Sequence, residues 1–440
     1  MEYPDYVKYV MDILESIGHP AFLVGGCVRD MLLGKTPHDY DIVTSAAAGE
    51  IKACFDRVLT IGERYGTLGV LVGASLIEIS SFRGRAGGDC ADSMQRLADD
   101  LAGRDFTINA MALDLAGTLY DPWAGEADLK RGIIRATGGR GAQLFSDDPL
   151  RMLRAIRLHA VYGFNIENDT WQDIIQLKGL LVLCAPERIR EEFNRILLSE
   201  QPAQGVRRLY QSGLLQYIIP ELMLGAGFDQ RSLHHDRDVF EHSLSALENT
   251  SPRLSLRLAA LLHDVAKPLC FTLDEAGKGH FYGHHLVGSD MVMTIMGRLR
   301  YDCRTIEDVA LLVGAHMSRF EKVRDRPLKK LIVQVGEHNL EDLVELQRAD
   351  IIASAPPCNF TSLEQMDRDI RRILEEGLPL QRSDLAVKGD DLIALGYSPG
   401  PELGRTLMTL LEIVLDDPTR NKREILLEMA SSRLASPASD

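Results

Sequence analysis

Two carboxylates separated by one residue pose the first chemical question. Asp39-Tyr40-Asp41 leads into the β-type run Ile42–Val43. At strand period, residues 39 and 41 point to one face and Tyr40 to the other. Carboxylates crowded on one face repel each other unless a cation sits between them. Mg²⁺ is the natural guest, since it takes hard oxygen ligands and bridges substrate phosphates. Paired Mg²⁺ ions activate an attacking hydroxyl and stabilise a pyrophosphate leaving group. A lone Asp-x-Asp is often only a solvated turn, so its neighbours matter. Just upstream, the apolar run Phe22–Val24 ends in Gly25-Gly26, and a short amphipathic helix carrying Arg29 and Asp30 begins. Adjacent glycines allow positive φ, and backbone N–H groups there can converge on a phosphate.

Histidine supplies the second constellation. Eight of the twelve histidines fall between residues 234 and 316. They include His242 in DVFEHSL, His263-Asp264 at the end of the apolar run LAALL, His284-His285, and His316 in VGAHM. A carboxylate beside an imidazole, both held near a core, requires a metal or an internal partner.

The elements that must hold these groups fall into two regimes. Up to about residue 135, short β-type runs alternate with helical patterns; the strands expected are Ala21–Val24, Tyr40–Val43, Leu68–Val72, Leu76–Ile79 and Thr118–Tyr120. From about Asp148 onward, apolar residues recur at helical spacing, as in Leu256, Leu258, Leu261, Leu262 and Val265. Asp148-Pro149 reads as a helix cap and first turn. Arg151, Arg154 and Arg157 then recur every three residues, forming one guanidinium stripe.

At 440 residues the chain is too long for one core. No apolar run reaches the length of a membrane helix. Residues 1–20 lack the basic and apolar regions of a signal peptide, and seven scattered cysteines without C-x-x-C fit a reducing cytosol. Cytoplasmic residence is the expectation. A net charge of −15 argues against nonspecific coating of nucleic acid, but not against a local basic groove. Arg207 with Arg208, Arg324 to Lys330, and Arg420 to Arg423 are further patches that could build one.

Gly25, Gly26, Val28, Arg29, Asp30, Asp39 and Asp41 together resemble the Gly-Gly-x-Val-Arg-Asp … Asp-x-Asp pattern of the class II tRNA nucleotidyltransferase and bacterial poly(A) polymerase family. Asp100–Ala112 resembles that family's second motif. There the resemblance implies that Arg104, Asp105 and Asn109 bind ribose and triphosphate, with Gly103 standing where an arginine is usual. Asp147–Arg157 resembles its third motif, in which Asp148 and Arg151 read the base edges of CTP and ATP as a protein template; Asp147 replaces the usual Glu. Arg154 and Arg157 join the implied nucleotide site. Asp39 and Asp41 become the catalytic Mg²⁺ ligands, with Glu78 a candidate third carboxylate. The His-rich segment resembles the HD phosphohydrolase superfamily. This implies a divalent metal on His242, His263, Asp264 and Asp350, with His284 and His316 assisting or binding a second ion, and Lys267 contacting phosphate. Residues 385–421 resemble the tail of HD-fused members, with Arg405, Arg420, Lys422 and Arg423 as candidate tRNA phosphate contacts.

The implied fold is α+β, a polymerase-β-like nucleotidyltransferase head of small mixed sheet and helices followed by an elongated all-α body containing an HD domain. The expected divisions are 1–145 for the head, 146–225 for a helical neck, 226–355 for the HD domain and 356–440 for the tail. The implied function is addition of C and A nucleotides to the 3′ end of tRNA. CC-only addition, A-only addition and poly(A) tailing share these motifs, and the connection between Arg83 and Asp100 is short. A different class also stays open: an HD phosphohydrolase, or a slow RNA-binding protein, whose head only binds RNA. Oligomeric state is not legible.

Overall fold

In the computed structural model, which describes residues 3–62, 67–82, 93–229, 237–318, 325–376 and 382–435, β1 (Ala21–Val24) is buried at all four positions. A continuous apolar run is what a strand with both faces covered requires. The other strands of its sheet are β2 (Asp41–Thr44), β3 (Val58–Gly62), β4 (Thr67–Val72), β5 (Ser75–Ser81), β6 (Ala112–Leu113) and β7 (Leu119–Tyr120). They form one sheet of order β3-β4-β5-β2-β1-β6-β7. Only the β2–β5 pairing is parallel, so the sheet is mixed, as expected.

Two departures from the sequence reading have simple causes. The carboxylate strand begins one residue later than expected, at Asp41. β3 was not anticipated: it is a sheet edge whose Leu59 is 50% exposed, so its apolar residues show no inside-outside alternation.

Beyond Gly141 the first unit is built of helices, apart from the short strand Asn165–Ile166, which pairs in parallel with Ile133–Ile134. Leu150–Tyr162 buries Leu150, Met152, Leu153, Ala155, Ile156 and Leu158, which leaves positions 151, 154 and 157 on its other face. Gly163, at φ +71°, ends it in the left-handed conformation that glycine adopts without strain.

The chain divides into two compact units, Met1–Ile218 and Ile219–Asp440. The second is helical apart from one antiparallel hairpin, Thr272–Leu273 with Gly279–His280, an exception to the all-α expectation. Its C-terminal part packs Leu392 and Tyr397 against Leu410, Leu411, Val414 and Leu415. The intervening turn uses Gly396 and Gly400, both at positive φ. No helix among the described residues is long and apolar enough to cross a membrane. The described cysteines are free thiols.

Candidate functional site

β2 delivers Asp41 to the rim of a cavity of about 400 Å³ in the first unit. Tyr40 turns the other way, buried edge-on against Tyr6 with ring centroids 6.0 Å apart, so Asp39 and Asp41 share the cavity face. Both line it, with Gly25, Gly26, Arg29, Arg104, Asp105, Asn109, Arg151, Arg154 and Arg157. Burial pushes the Asp41 carboxyl upward, and Asp39 adds to that, while Arg104 and Arg154 pull against it. A divalent cation relieves both penalties, so these oxygens fit a hard metal ion. Parallel register sets Glu78 directly beside Asp41. Glu78 is exposed, and its carboxyl is raised by burial and then by Asp41 and Asp39.

Gly25 sits at φ +79°, and a Cβ there would lie 2.8 Å from Arg104 Nη1. Glycine is therefore favoured by the turn, and a side chain there would also displace the Arg104 guanidinium. Arg104 also pairs with Asp100 at 3.2 Å. Arg29 is committed to protein partners: it donates to Asn109 Oδ1 (2.6 Å), Tyr162 Oη (2.7 Å) and Asp30 Oδ1 (3.1 Å). The Tyr162 hydroxyl donates to Asp30 at 2.7 Å, and burial followed by Asp30 pushes its pKa up to about 12. Arg29 thus braces the glycine turn against Leu150–Tyr162. Tyr162 is a member of the site that sequence reasoning missed, since an aromatic at a helix end reads only as packing.

Asp105 is buried, accepting from the Phe106 N–H (2.9 Å) and Asn109 Nδ2 (3.0 Å), with Arg154 at 3.0 Å. Burial alone would raise its pKa, but Arg154 and these hydrogen bonds hold it below the usual carboxylate range. Arg157 pairs with Glu192 at 2.8 Å, and Arg151 donates to the Gly103 carbonyl at 2.9 Å. The residue that lacks the usual cationic side chain therefore still anchors the arginine stripe through its backbone.

Asp148 is placed differently from Arg151. Its backbone is extended, its Oδ1 accepts from the Leu150 N–H at 3.3 Å, and Arg188 of helix Pro186–Leu197 donates to it at 3.1 Å. It is not among the residues lining the cavity, whereas Arg195, which sequence reasoning passed over, is. Asp147 is exposed and accepts from Gln143 at 2.7 Å. Six arginines against four aspartates line the cavity of a chain whose net charge is −15. That local excess of positive charge focuses a polyanion such as a triphosphate.

The second unit gathers the expected histidines at helix ends. His242 lies on Val239–Glu248, His263 follows Leu254–Leu262, His284 opens His284–Arg298, His316 follows Cys303–Ala315, and Asp350 lies on Leu340–Ala353. The Nδ1 atoms of His242, His263, His284 and His316 each meet a backbone carbonyl, of Ala353, Ala260, Phe281 and Val313, at 2.6 to 3.2 Å. Each carbonyl favours a proton on Nδ1, which turns Nε2 toward the interior of the cluster. His242 Nε2 lies 3.0 Å from Asp350 and 3.2 Å from His263 Nε2, and His284 Nε2 lies 3.3 Å from His316 Nε2.

Two buried triads share one carboxylate: His242, His263 and Asp264, and Asp264, His284 and His316. Lys267 Nζ sits 2.7 Å from Asp264. Burial opposes charge on His263, but Asp264 and Asp350 raise its pKa to about 10, whereas burial and then His263 drive His316 down to about 3. A divalent ion takes the place of the proton that these carboxylates otherwise draw onto His263, and imidazoles grouped around carboxylates are the donor set that divalent transition ions take. His234 and His235 lie outside the described residues, as do Arg324 and most of the connection from Arg83 to Asp100, whose last part is the helix Ser93–Ala102. Among the tail cations, Arg420 pairs with Asp417 at 3.1 Å and Arg423 with Asp391 at 2.7 Å.

Known proteins place this geometry. The poly A polymerase head domain model matches residues 21–135, the HD domain model 239–341, and the tRNA nucleotidyltransferase domain 2 model 291–430. The A-adding tRNA nucleotidyltransferase of Deinococcus radiodurans is 34% identical over 415 residues, covering 89% of this chain and 91% of that protein. The CC-adding tRNA nucleotidyltransferase of Thermus thermophilus is also 34% identical, covering 92% of each. The crystal structure of the Bacillus stearothermophilus CCA-adding enzyme in complex with CTP aligns with a TM-score of 0.72 over 99% of this chain and 98% of that one, at 24% identity. With a polymerase-type head and an HD domain in one chain, similar over nearly its full length to such proteins, this is a nucleotidyltransferase of the tRNA nucleotidyltransferase family.

Proposed function

We propose that the protein adds C and A nucleotides from CTP and ATP to the 3′ end of tRNA. The observation that carries this is the cavity in which Asp39 and Asp41 face a wall of arginines. Mg²⁺ held by Asp39 and Asp41 supplies activation of the RNA 3′-hydroxyl and neutralisation of departing pyrophosphate. Arg154 and Arg157 hold the triphosphate. Arg104, Asp105 and Asn109 orient the sugar, and Gly25 and Gly26 leave room beside the phosphates. Asp148 and Arg151 select the base through hydrogen bonds to its edge. This reading keeps the division into head (1–145), neck (146–225), HD domain (226–355) and tail (356–440), in a cytoplasmic protein.

The test uses full-length protein with tRNA lacking its end, Mg²⁺, and labelled CTP, ATP or both. Addition in the order C, C, A supports the reading. Relatives of equal identity are named for adding A and for adding CC, so a product ending at CC, or one starting only from CC, is the second reading, and the same gel separates them. Absence of any addition, with tRNA still bound, leaves the head as an RNA-binding module.

At the His cluster we assign a metal-dependent phosphohydrolase acting on phosphate ends of nucleotides or RNA, such as 2′,3′-cyclic ends. Convergence of the Nε2 atoms on Asp264 and Asp350, with Lys267 beside them, supports it. Release of a monoester from a 2′,3′-cyclic end, lost in His263→Ala, tests it.

A further inference from the structure

Metal and phosphate binding leave one feature beside the His cluster unused. A cavity of about 520 Å³ opens onto Asp264, Lys267, His284 and Asp350, and Lys278, His280 and Tyr282 also line it. Tyr282 is 76% exposed, a large ring left in water next to a polar site. It is held in place nonetheless. Its ring stacks on His280 with centroids 5.3 Å apart and planes within 6°. His280 Nε2 hydrogen-bonds Asp274 at 2.9 Å. Asp274 Oδ1 in turn accepts from the backbone N–H groups of Ala276 (3.0 Å) and Lys278 (2.9 Å), closing the hairpin turn. A turn, a carboxylate and an imidazole therefore fix the plane of one exposed ring. A single exposed ring is ordinary on a protein surface; what sets this one apart is that it is held in place at the mouth of the cavity that opens onto Lys267 and His284.

We propose that Tyr282, backed by His280, is the platform on which the nucleobase of a phosphate-ended nucleotide stacks while its phosphate lies at Lys267 and the His cluster. The inference rests on the phosphohydrolase reading above and deepens it by assigning the side chain that receives the base of that nucleotide or RNA end. Every base has a π face, so stacking tolerates any terminal base. For a 2′,3′-cyclic end, a water oxygen bonds to phosphorus and one ribose O–P bond breaks. The freed ribose oxygen takes a proton from that water, and the product is a 2′- or 3′-monoester.

The test compares full-length wild type, Tyr282→Ala and Tyr282→Trp in Mn²⁺ buffer on 2′,3′-cyclic AMP and on glycerol 1,2-cyclic phosphate, which has the same ring and no base. Tyr282→Ala is expected to raise KM for the nucleotide about tenfold with kcat nearly unchanged. Tyr282→Trp restores it, and all three proteins treat the glycerol ester alike. A second readout is independent of turnover: photo-crosslinking with 8-azidoadenosine 2′-monophosphate places an adduct on the Tyr282 peptide. An unmoved KM in Tyr282→Ala, an equal loss on both substrates, or an adduct elsewhere overturns the platform. If wild type hydrolyses neither ester yet the adduct forms at Tyr282, the phosphohydrolase reading fails and the platform stands.

Discussion

The two candidate sites hold their carboxylates in opposite ways. In the first unit, Asp39 is 82% exposed on its side chain and Asp41 only partly covered, at the rim of an open cavity. In the second, Asp264 is 2% exposed and enclosed by imidazoles and the Lys267 ammonium. A pair with one carboxylate open to water costs less to keep without a cation than a fully enclosed one and can exchange an ion with solvent. A buried carboxylate among inward-facing Nε2 atoms is organised before any ion arrives. Under the proposed functions, the contrast sets a metal that would come and go with a triphosphate against one that would reside.

The strongest way to break this comparison is to show that the sites depend on each other. Asp41→Ala is expected to lower nucleotide addition by about 10³-fold or more while leaving hydrolysis of 2′,3′-cyclic ends intact. His263→Ala should do the reverse. Addition by Asp41→Ala at near wild-type rate removes Asp41 from the chemistry. Joint loss of both activities in either variant dissolves the distinction between the sites.

Metal retention sharpens it further. After loading with Mn²⁺ and gel filtration in metal-free buffer, wild type should keep about one or two equivalents of metal. His263→Ala should lose most of it, and Asp41→Ala should keep it all. Elemental analysis reads the outcome. Retention that follows Asp41 instead of His263 reverses the assignment of the resident ion.

How much of this was legible beforehand follows from the same contrast. Asp39, Asp41 and the glycine turn were readable because strand alternation and φ > 0 are local rules, and β1, β4 and β5 stand close to where the pattern put them. The histidines were readable as a cluster, since their number within one segment exceeds what surface composition gives. Their ordering by Nδ1 bonds to Ala260, Val313, Phe281 and Ala353 was not, because those partners are backbone groups that any sequence supplies. Tyr162 and Arg195 were missed for another reason: Tyr162 bonds to Arg29 and Asp30, which are distant in the chain, and Arg195 reaches the cavity from the helix Pro186–Leu197, outside the motif segments, so nothing local marks either one. Arg29 was legible as a member of the site, but its bonds to Asn109 and Tyr162 depend on tertiary contact.

Within the first unit, the Asp105–Arg154 pair is a sharper probe than the exposed carboxylates. The Asp105 side chain is 4% exposed and Arg154 37%, so solvent screens the pair only in part. Arg154→Ala leaves a buried carboxylate short of its cation and should cost about 2 kcal/mol of stability at neutral pH. The sign with pH follows from the lowered pKa of Asp105. A depressed carboxyl contributes stability above its unfolded value and loses it as pH falls through its folded one. The stability gap between wild type and Arg154→Ala should therefore narrow as the solution is acidified below about pH 4, the ordinary Asp range, toward the lowered pKa of Asp105. Urea titrations at two pH values test this, and a gap that widens on acidification removes the ion pair as its source.

The smallest expected effect concerns which nucleotide is written. Asp148 is the proposed base reader, yet it is turned to Arg188, whose side chain is 53% exposed. Exposed pairs of this kind are worth roughly 0–1 kcal/mol, so Arg188→Ala should barely move stability. Its effect should fall on orientation. Arg188 holds one oxygen of Asp148 while the Leu150 N–H holds the other, and together they fix the plane in which the carboxylate meets a base edge. Freed from Arg188, Asp148 should discriminate less, changing the ratio of C to A incorporated from equal CTP and ATP by about two- to fivefold. Sequencing the 3′ ends reads that ratio directly. An unchanged ratio in Arg188→Ala beside lost discrimination in Asp148→Ala means that the Leu150 N–H alone orients the template carboxylate, and the neck helix then contributes packing only.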